Sequence, residues 1–332
     1  MTALIILNYN NYEDTINCIE SVEKYNTAPV KLIIVDNAST RQGARAELSK
    51  YLIGRYKEET KIYSDEDINQ IKSNITLSYC SLINSDTNEG YARGNNKGLK
   101  LVEWDSSVDY VMILNNDVLF VQDIIPTLVN RSKTINNAAL LSPLLYTRNM
   151  DRYDYNCARN DTTLITELTN NVLHYLFVFC KWENPLMRKR YILRTHKDLP
   201  ICVPIELPSG SCMFINKELF KKIDYFDPNT FLYYEENILY RKVKGINKQN
   251  YLFTDIKCIH LGAQSTAKIA YSYNKEKKNM ASPLYYMKNY YGLNGFQYAI
   301  YKVSVYFYLF TLKLQKFIMN NDFIITSSII IY

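Results

Sequence analysis

Carboxylates and amides stand where two apolar segments of this sequence end. Residues 115–117 (Asn-Asn-Asp) follow the apolar run 110–114, and Asp36 follows the run 30–35. A carboxylate beside a hydrophobic core is costly unless it is paired or binds a metal. Its oxygens can accept hydrogen bonds from a ribose or a base edge, or bind a hard divalent cation. For any one segment alone, a turn with helix-capping residues explains the pattern equally well.

A second acidic group, Glu235 and Glu236, follows the aromatic run 231–234. A carboxylate in such a place can act as a general base that takes a proton from an attacking hydroxyl. Neighbouring residues on a helix point about 100° apart, so only one of the two can face a substrate squarely. The other would orient the loop or pair with a cation such as Arg241. A solvated acidic pair at a helix start, favoured by the helix dipole, is the alternative.

The elements that must position these residues alternate along the first third of the chain. Apolar runs predict strands, and apolar residues at helical spacing predict helices between them. Residues 57–75 carry many charges and are interpreted as a surface insertion. The alternation predicts a parallel, doubly wound α/β sheet. The predicted strands are 2–7, 30–35, 76–83 and 110–114, and the predicted helices are 12–25, 41–56 and 91–102.

Each predicted strand turns polar at its carboxyl end, where open α/β sheets bind ligands. The polar ends are Asn8 with Asn10, Asp36, Asn88 and residues 115–117. We therefore expect one pocket at one rim of the sheet. The sequence has no G-x-x-x-x-G-K-[ST] motif and no G-x-G-x-x-G motif after the first strand, which excludes the two commonest phosphate loops. Asp36 at a nucleoside and Asp117 at a diphosphate-bound cation would suit departure of a nucleoside diphosphate from a sugar.

Seven motifs in order along residues 1–270 resemble those of glycosyltransferase family 2. The chain is similar to the family's rhamnosyltransferase-like branch of bacterial surface-polysaccharide enzymes. That resemblance implies the GT-A fold, a Rossmann-like and mostly parallel sheet flanked by helices, here with a C-terminal helical extension. The motifs are IILNYN (5–10), LIIVDNAST (32–40), NEGYARGNNKG (88–98), MILNNDV (112–118), LPSGSCMFIN (207–216), FDPNTFLYYEEN (226–237) and IHLGAQST (259–266).

Position by position, the resemblance also implies roles for single residues. Glu236 is the expected catalytic base, with Glu235 as the alternate, and Asp117 and His260 are the expected ligands of Mg²⁺ or Mn²⁺. Asn115 departs from the family's D-x-D pattern and leaves one carboxylate there. Arg41 stands near where many relatives have another acid. The expected nucleotide-sugar contacts are Asn10, Asp36, Asn88, Gly90, Arg93, Asn96, Asn116, Gly210 and Ser211.

The activity implied by the resemblance is an inverting, metal-dependent transfer from a UDP- or dTDP-linked sugar. The acceptor would be a hydroxyl of a glycan or lipid-linked glycan in surface-polysaccharide synthesis. A non-catalytic carbohydrate- or partner-binding module on the same fold is one alternative. A sugar nucleotidyltransferase is another, but it needs a Gly-rich basic loop after the first strand, and residues 8–11 supply none.

Three regions are expected: a nucleotide-sugar-binding half (1–120), an acceptor-binding and catalytic half (121–268), and a C-terminal helical region (269–332). Residues 296–318 are apolar nearly all round, and the uncharged stretch 303–312 lies between lysines. That stretch is too short to span a bilayer. It suits a helix in a membrane interface or on a partner, and packing on its own domain is the alternative.

Bulk properties narrow the setting of the protein. The net charge of +6 and pI of about 8.7 fall short of a nucleic-acid-binding footprint, so no nucleic-acid partner is expected. Seven cysteines without a C-x-x-C pair indicate a reducing compartment. With no leader segment in the sequence, a cytoplasmic location is predicted. Peripheral contact with the inner face of the membrane through the C-terminal helices stays open.

Overall fold

The computed structural model describes residues 1–195, 198–262 and 273–319. Within these ranges a ten-stranded mixed sheet runs in the order β3-β4-β2-β1-β5-β11-β7-β12-β6, with β9 beside β12, and β8 pairs separately with β10. The strands are β1 Thr2–Asn8, β2 Val30–Asp36, β3 Thr60–Ser64, β4 Cys80–Asn84, β5 Tyr110–Asn115, β6 Val118–Phe120, β7 Ala138–Tyr146, β8 Ala158–Arg159, β9 Cys202–Ile205, β10 Leu207–Pro208, β11 Cys212–Asn216 and β12 Gln249–His260.

Helices cover both faces of this sheet and form a separate group at the C-terminal end. They are α1 Tyr12–Tyr25, α2 Ala44–Tyr56, α3 Asp65–Gln70, α4 Gly90–Glu103, α5 Ile125–Thr134, α6 Leu164–Cys180, α7 Pro185–Arg188, α8 Ile192–Thr195, α9 Lys217–Lys222, α10 Glu235–Gly245, α11 Tyr273–Asn279, α12 Ala281–Asn289 and α13 Gly295–Met319. Two short 3₁₀ turns lie at Lys57–Glu59 and Tyr155–Cys157.

The parallel half of the sheet aligns the polar strand ends. Strands β3, β4, β2, β1 and β5 pair in parallel, with Asn8 opposite Asp36, Asp36 opposite Asn84, and Leu7 opposite Asn115. Alternate side chains along β1 enter the hydrophobic cores on opposite faces, as the pleat of a strand requires. The predicted mostly parallel α/β fold is confirmed.

The other half of the sheet brings a late segment of the chain to the same rim. Strand β11 pairs antiparallel with β5, with Cys212 opposite Leu114. The residues just before β11 therefore meet the polar end of β5. Strand β12 runs parallel to β7 and ends at His260, opposite Val118 of β6. Segments more than a hundred residues apart in sequence thus share one edge.

The prediction of a surface insertion over residues 57–75 is wrong. Strand β3 pairs with β4, and α3 follows it with a reciprocal capping box between Ser64 and Asp67. Tyr63 and Ile68 are buried among apolar neighbours, which stabilises this edge unit despite its many charges. The predicted strand over residues 76–83 is shorter and later, because only Cys80–Asn84 pairs with β2.

The C-terminal helices pack on α10 and α6. Tyr286 of α12 and the buried stripe of α13 form an apolar cluster with Ile238 of α10. The predicted helix over residues 296–318 is present as α13, and the packing of one of its faces on its own domain is observed. In the described ranges no helix is long and apolar enough to cross a membrane. The division at residues 120 and 268 stays a prediction.

Candidate active site

Asn8 joins the ends of three strands at the rim. Its side-chain nitrogen donates to Asp36 Oδ2 at 2.8 Å, and its side-chain oxygen accepts from Thr15 Oγ1 at 3.0 Å and from Asn116 Nδ2 at 3.4 Å. Asn116 also donates to the carbonyl of Asn11 at 2.8 Å. The structure therefore brings the predicted residues Asp36 and Asn116 to one rim. These hydrogen bonds also fix the orientation of the Asn8 and Asn116 side-chain amides.

Asp36 is fully buried and has several hydrogen-bond donors. Its carboxylate accepts from the backbone and hydroxyl of Ser39 at 3.0 and 2.6 Å, and from Arg45 Nε at 3.0 Å. A buried carboxylate is tolerated when charge and hydrogen bonds both compensate its lost hydration. The role of Arg45 was not predicted, because nothing in its helical segment marks it as the partner of Asp36.

A cleft of about 810 Å³ opens beside this rim. Asn10 shapes one wall, because its side-chain oxygen accepts from the backbone nitrogens of Thr40 and Arg41 at 2.6 and 2.7 Å. Its own backbone is left-handed, with φ of 61°, a conformation that asparagine tolerates. The lining includes Ser39, Thr40, Arg45, Asn84 and the predicted contact Asn88.

The other predicted residues of this loop grip a later segment of the chain. Gly90 has φ of +85°, and a Cβ there would lie 2.1 Å from the carbonyl oxygen of Phe231. Arg93 donates to the carbonyl of Pro228 at 2.8 Å, and Asn96 exchanges hydrogen bonds with the backbone of Phe226. The contacts of Gly90, Arg93 and Asn96 thus hold in place the segment 226–231 that precedes Glu235. A contact of any of the three with a nucleotide stays a prediction.

Asp117 and His260 meet at the junction of β5, β6 and β12. His260 Nε2 lies 3.4 Å from Asp117 Oδ1 and 3.2 Å from Ser211 Oγ. On the opposite side of the ring, His260 Nδ1 lies 2.7 Å from Asp154 Oδ2. Burial disfavours the imidazolium, but the hydrogen bonds to Asp117 and Asp154 outweigh burial and raise the pKa of His260 to about 10.

Asp117 and His260 could supply two ligands to a metal ion once His260 Nε2 has released its proton, because a ligating histidine must be neutral. In the described ranges no group of three or more His, Cys, Asp or Glu side chains could hold an ion. Mg²⁺ is commonly bound by one or two carboxylates together with substrate phosphates, so a two-ligand site is sufficient when a diphosphate completes it. Asp154 stands where a carboxylate orients a metal-binding histidine through its other nitrogen. Sequence reasoning missed Asp154, which lies 106 residues from His260.

The two adjacent acids have different environments. Glu236 is partly exposed; its Oε1 accepts from the backbone nitrogen of Gly210 at 3.0 Å and lies 3.6 Å from Arg159. Glu235 is only 4% exposed, and its Oε1 has no hydrogen-bond partner. Burial, followed by the neighbouring charge of Glu236, raises the pKa of Glu235 to about 8. Glu235 is therefore largely protonated at neutral pH.

The expectation that one of these acids pairs with Arg241 is wrong. Arg241 forms an ion pair with Asp161 and donates to Tyr286 Oη at 2.9 Å. It lies six positions along from Glu235 on α10 and points to the C-terminal helices instead. Arg159, contributed by β8, takes the place expected for it beside Glu236.

Residues 209–211 connect the acid and the metal pair. Gly210 donates to Glu236, and its carbonyl accepts from Tyr91 Oη at 2.6 Å. The next residue, Ser211, contacts His260. A Cβ at Gly210 would lie 2.9 Å from Glu236 Oε1 and 3.0 Å from Tyr91 Oη, so close approach accounts for this glycine. The structure thus places Glu236, Gly210, Ser211, His260 and Asp117 side by side.

Two consecutive tyrosines lead into the acids in a left-handed conformation. Tyr233 and Tyr234 have φ of 71° and 70°, which is uncommon for bulky residues and costs free energy. Tyr234 Oη donates to the buried Glu167 at 2.7 Å, and its ring packs on Tyr286. These contacts from α6 and α12 fix the turn that aims Glu236.

Comparison with known proteins shows the family to which the chain belongs. Glycosyl transferase family 2 matches residues 3–224. The low-salt glycan biosynthesis hexosyltransferase Agl10 of Haloferax volcanii is 24% identical over 234 residues, which cover 70% of this chain and 58% of that protein. The chain therefore matches little more than half the length of this relative.

Among solved structures, that of GalNAc-T7 shares the fold. GalNAc-T7, crystallised with UDP, GalNAc and Mn²⁺, aligns with a TM-score of 0.54 and 13% identity over 97% of this chain and 57% of its own. Residues 1–349 of Staphylococcus aureus TarS align with a TM-score of 0.45 and 11% identity over 87% of this chain and 72% of that one.

Proposed function

Because the chain belongs to glycosyltransferase family 2, we propose that it transfers a sugar, with inversion, from a UDP- or dTDP-linked donor. The acceptor is a hydroxyl of a glycan or a lipid-linked glycan. The observation that carries this proposal is the continuity of the site. Glu236 lies on the backbone nitrogen of Gly210, and the next residue, Ser211, contacts the His260 ring that faces Asp117.

Glu236 is the base in this proposal. It takes the proton of the acceptor hydroxyl while the hydroxyl oxygen bonds to the anomeric carbon and the bond from that carbon to the diphosphate breaks. The hydrogen bond from Gly210 and the Arg159 guanidinium at 3.6 Å orient the Glu236 carboxylate. Glu235, buried and largely protonated at neutral pH, is poorly suited to accept that proton.

Asp117 and His260 are the residues that would hold Mg²⁺ or Mn²⁺. A bound cation supplies charge neutralisation of the departing diphosphate. The chain's own part is to orient the two ligands: Asp154 fixes the His260 ring, and β12 fixes the Asp117 backbone through the bond from Leu261 N to Asp117 O at 2.9 Å. The Mn²⁺ in the crystal of GalNAc-T7 supports the use of a divalent cation.

The biological setting belongs to the same proposal. The named role of the Haloferax relative in glycan biosynthesis supports a polysaccharide or glycan product. The rhamnosyltransferase-like branch and a bacterial origin are extensions that rest on the motifs of the sequence. A cytoplasmic location rests instead on the seven free cysteines of the chain, which suit a reducing compartment. The sugar and the nucleobase of the donor are to be identified by experiment.

A panel of nucleotide sugars tests the proposal. The protein is incubated with each UDP- and dTDP-sugar, with and without Mn²⁺, and released nucleoside diphosphate is measured. We expect release from one donor, dependent on the metal and stimulated by glycan acceptors. Metal-dependent binding of UDP or dTDP without release from any donor would instead indicate a binding module that kept the fold.

A further inference from the structure

Helix α13 is apolar on two opposite faces, of which only one is covered. One stripe, Tyr301, Val305, Tyr308 and Leu312, is buried against the rest of the protein. Residue 303 lies two positions from 301, about 200° around the helix axis. It belongs to a second stripe that is exposed and recurs at steps of four and three, the spacing of one helix face. That stripe is Phe296, Ile300, Val303, Phe307, Phe310 and Leu314.

Helix α6 lies beside α13 and has the same property. Asn171 donates to Ser304 at 3.1 Å, and the His174 ring packs edge-on against Tyr308, so the two helices run parallel. Away from this contact, α6 exposes a stripe of its own. Its members include Val172, Leu176 and Phe179, the last of which is 76% exposed.

The two uncovered stripes face the same side of the helix pair. At about 100° per residue, the exposed stripe of α6 lies in one direction around its helix from the residues that contact α13. The exposed stripe of α13 lies in the opposite direction from the residues that contact α6. Because the two helices run parallel, these opposite rotations place both stripes on the same side of the pair. More than half of the large apolar side chains exposed in the described ranges belong to α6, to α13 or to Trp182, which follows α6. Contiguous apolar surface of this extent marks an interaction site.

The exposed charges around this surface are mostly positive. The sequence of α13 contains lysines and no acid, with Lys302 and Lys313 exposed, and the acid of α6, Glu167, is buried. Lys181 and Lys189 follow at the end of α6 and are exposed. Glu183 is the exposed acid of this segment, and it pairs with Arg194.

We propose that α6 and α13 together dock the protein on the surface of an anionic bilayer. Phenylalanine and tryptophan side chains enter the boundary between headgroups and acyl chains, and lysines beside them contact lipid phosphates. A second copy of the chain is the less suitable occupant. A two-fold interface would bring each lysine-flanked stripe onto an identical one, with no exposed acid on either helix to pair with.

This surface also identifies the class of acceptor, a step that rests on the proposed function. The N-terminal end of α6 contacts the turn before the acids through Glu167 and Tyr234. A helix of 17 residues is about 25 Å long, so the docked face begins beside the catalytic edge and extends about that far. A glycan attached to a membrane lipid would be held within reach of Glu236.

Vesicle co-sedimentation tests the docking surface without any turnover. The wild-type protein is spun with vesicles of phosphatidylcholine alone and with vesicles that contain phosphatidylglycerol. We expect binding to the anionic vesicles that weakens with salt. The double variant Phe307→Glu/Phe310→Glu should lower this binding by at least tenfold. Lys302→Glu/Lys313→Glu should reduce the preference for anionic lipid on the order of tenfold.

Ile53→Glu is the matched control, because Ile53 is an exposed apolar residue of α2, far from this surface. It should bind vesicles like the wild type. Wild-type protein that ignores anionic vesicles, or a Phe307→Glu/Phe310→Glu variant that still binds them, overturns the proposal. A wild-type dimer that this variant dissociates, without vesicle binding, would assign the surface to self-association instead. Donor hydrolysis, measured separately in all variants, tests the proposed function independently of docking.

Discussion

The candidate site has two sides, which we name for their proposed roles the nucleotide side, around Asp36, and the catalytic side, around Glu236. The carboxylates of the two sides have different environments. On the nucleotide side, Asp36 is fully buried and accepts hydrogen bonds from Asn8, Ser39 and Arg45. On the catalytic side, Glu236 is partly exposed and has Gly210 as its hydrogen-bond donor, with Arg159 at 3.6 Å. A carboxylate whose oxygens are already satisfied holds strands together, whereas one with free lone pairs can accept a proton or a ligand.

This difference predicts that substitutions on the two sides affect different properties, stability on one side and activity on the other. Losing a satisfied, buried carboxylate removes several hydrogen bonds and should lower the stability of the fold. Losing a partly satisfied one should leave the fold intact and remove chemistry. Each of the following substitutions tests one side of this comparison.

The largest effect is expected from Glu236→Gln. The amide keeps the size of the side chain but cannot take a proton, so kcat should fall by about 10²- to 10⁴-fold. Donor affinity should change little, and the thermal midpoint should stay close to that of the wild type. Steady-state kinetics with isothermal titration of donor measure both quantities. The matched control is Glu235→Gln; a larger loss of kcat there would exchange the roles of the two acids.

The next effect concerns Asp154→Asn. Because Asp154 orients His260 through Nδ1, we expect metal affinity to fall by about 10- to 100-fold. Titration of Mn²⁺ in the presence of UDP measures this directly, without turnover. Asp151→Asn, three residues away and exposed, is the control. Unchanged Mn²⁺ affinity in the Asp154 variant would separate His260 from the metal.

On the nucleotide side, Asp36→Asn should act through stability. The change removes the charge that pairs with Arg45 and weakens charge-assisted hydrogen bonds, which are worth about 1.5–3 kcal/mol each. We expect the free energy of unfolding to fall by about 2 kcal/mol in urea denaturation. A variant of wild-type stability that binds donor poorly would show that Asp36 contacts the nucleotide directly and would break the comparison.

The last effect is a pH dependence of stability due to Glu235. Its pKa is raised from 4.5 to about 8 in the folded state, so the folded protein holds a proton that the unfolded chain releases. Stability should therefore fall as pH rises from 4.5 to about 8. Glu235→Gln should remove this slope and be more stable than the wild type at pH 8, by about 1 kcal/mol or more. Denaturation at several pH values measures it, and parallel pH profiles would contradict it.

The nucleotide side of the fold was predictable because its signals are local. The end of each strand in the parallel half carries its own polar residues, and the register of a parallel sheet aligns them without further information. The runs 30–35 and 110–114 correspond closely to β2 and β5. The insertion predicted over residues 57–75 failed since its buried residues, such as Tyr63 and Ile68, are few among many charges.

The catalytic side required the structure because its contacts are long-range. Asp154 lies 106 residues from His260, and Arg159 reaches Glu236 from a two-residue strand. No spacing within the sequence connects such residues. The antiparallel insertion of β11 beside β5, which places Gly210 and Ser211 at the rim, also follows from tertiary packing and not from strand–helix alternation.

The left-handed tyrosines before α10 make the orientation of Glu236 depend on distant parts of the chain. Local backbone preference opposes that turn, so it forms only once distant partners arrive, Glu167 from one direction and Tyr286 from the other. The direction in which Glu236 points is therefore coupled to the packing of α6 and α12, so a substitution on either helix can alter the site without touching it.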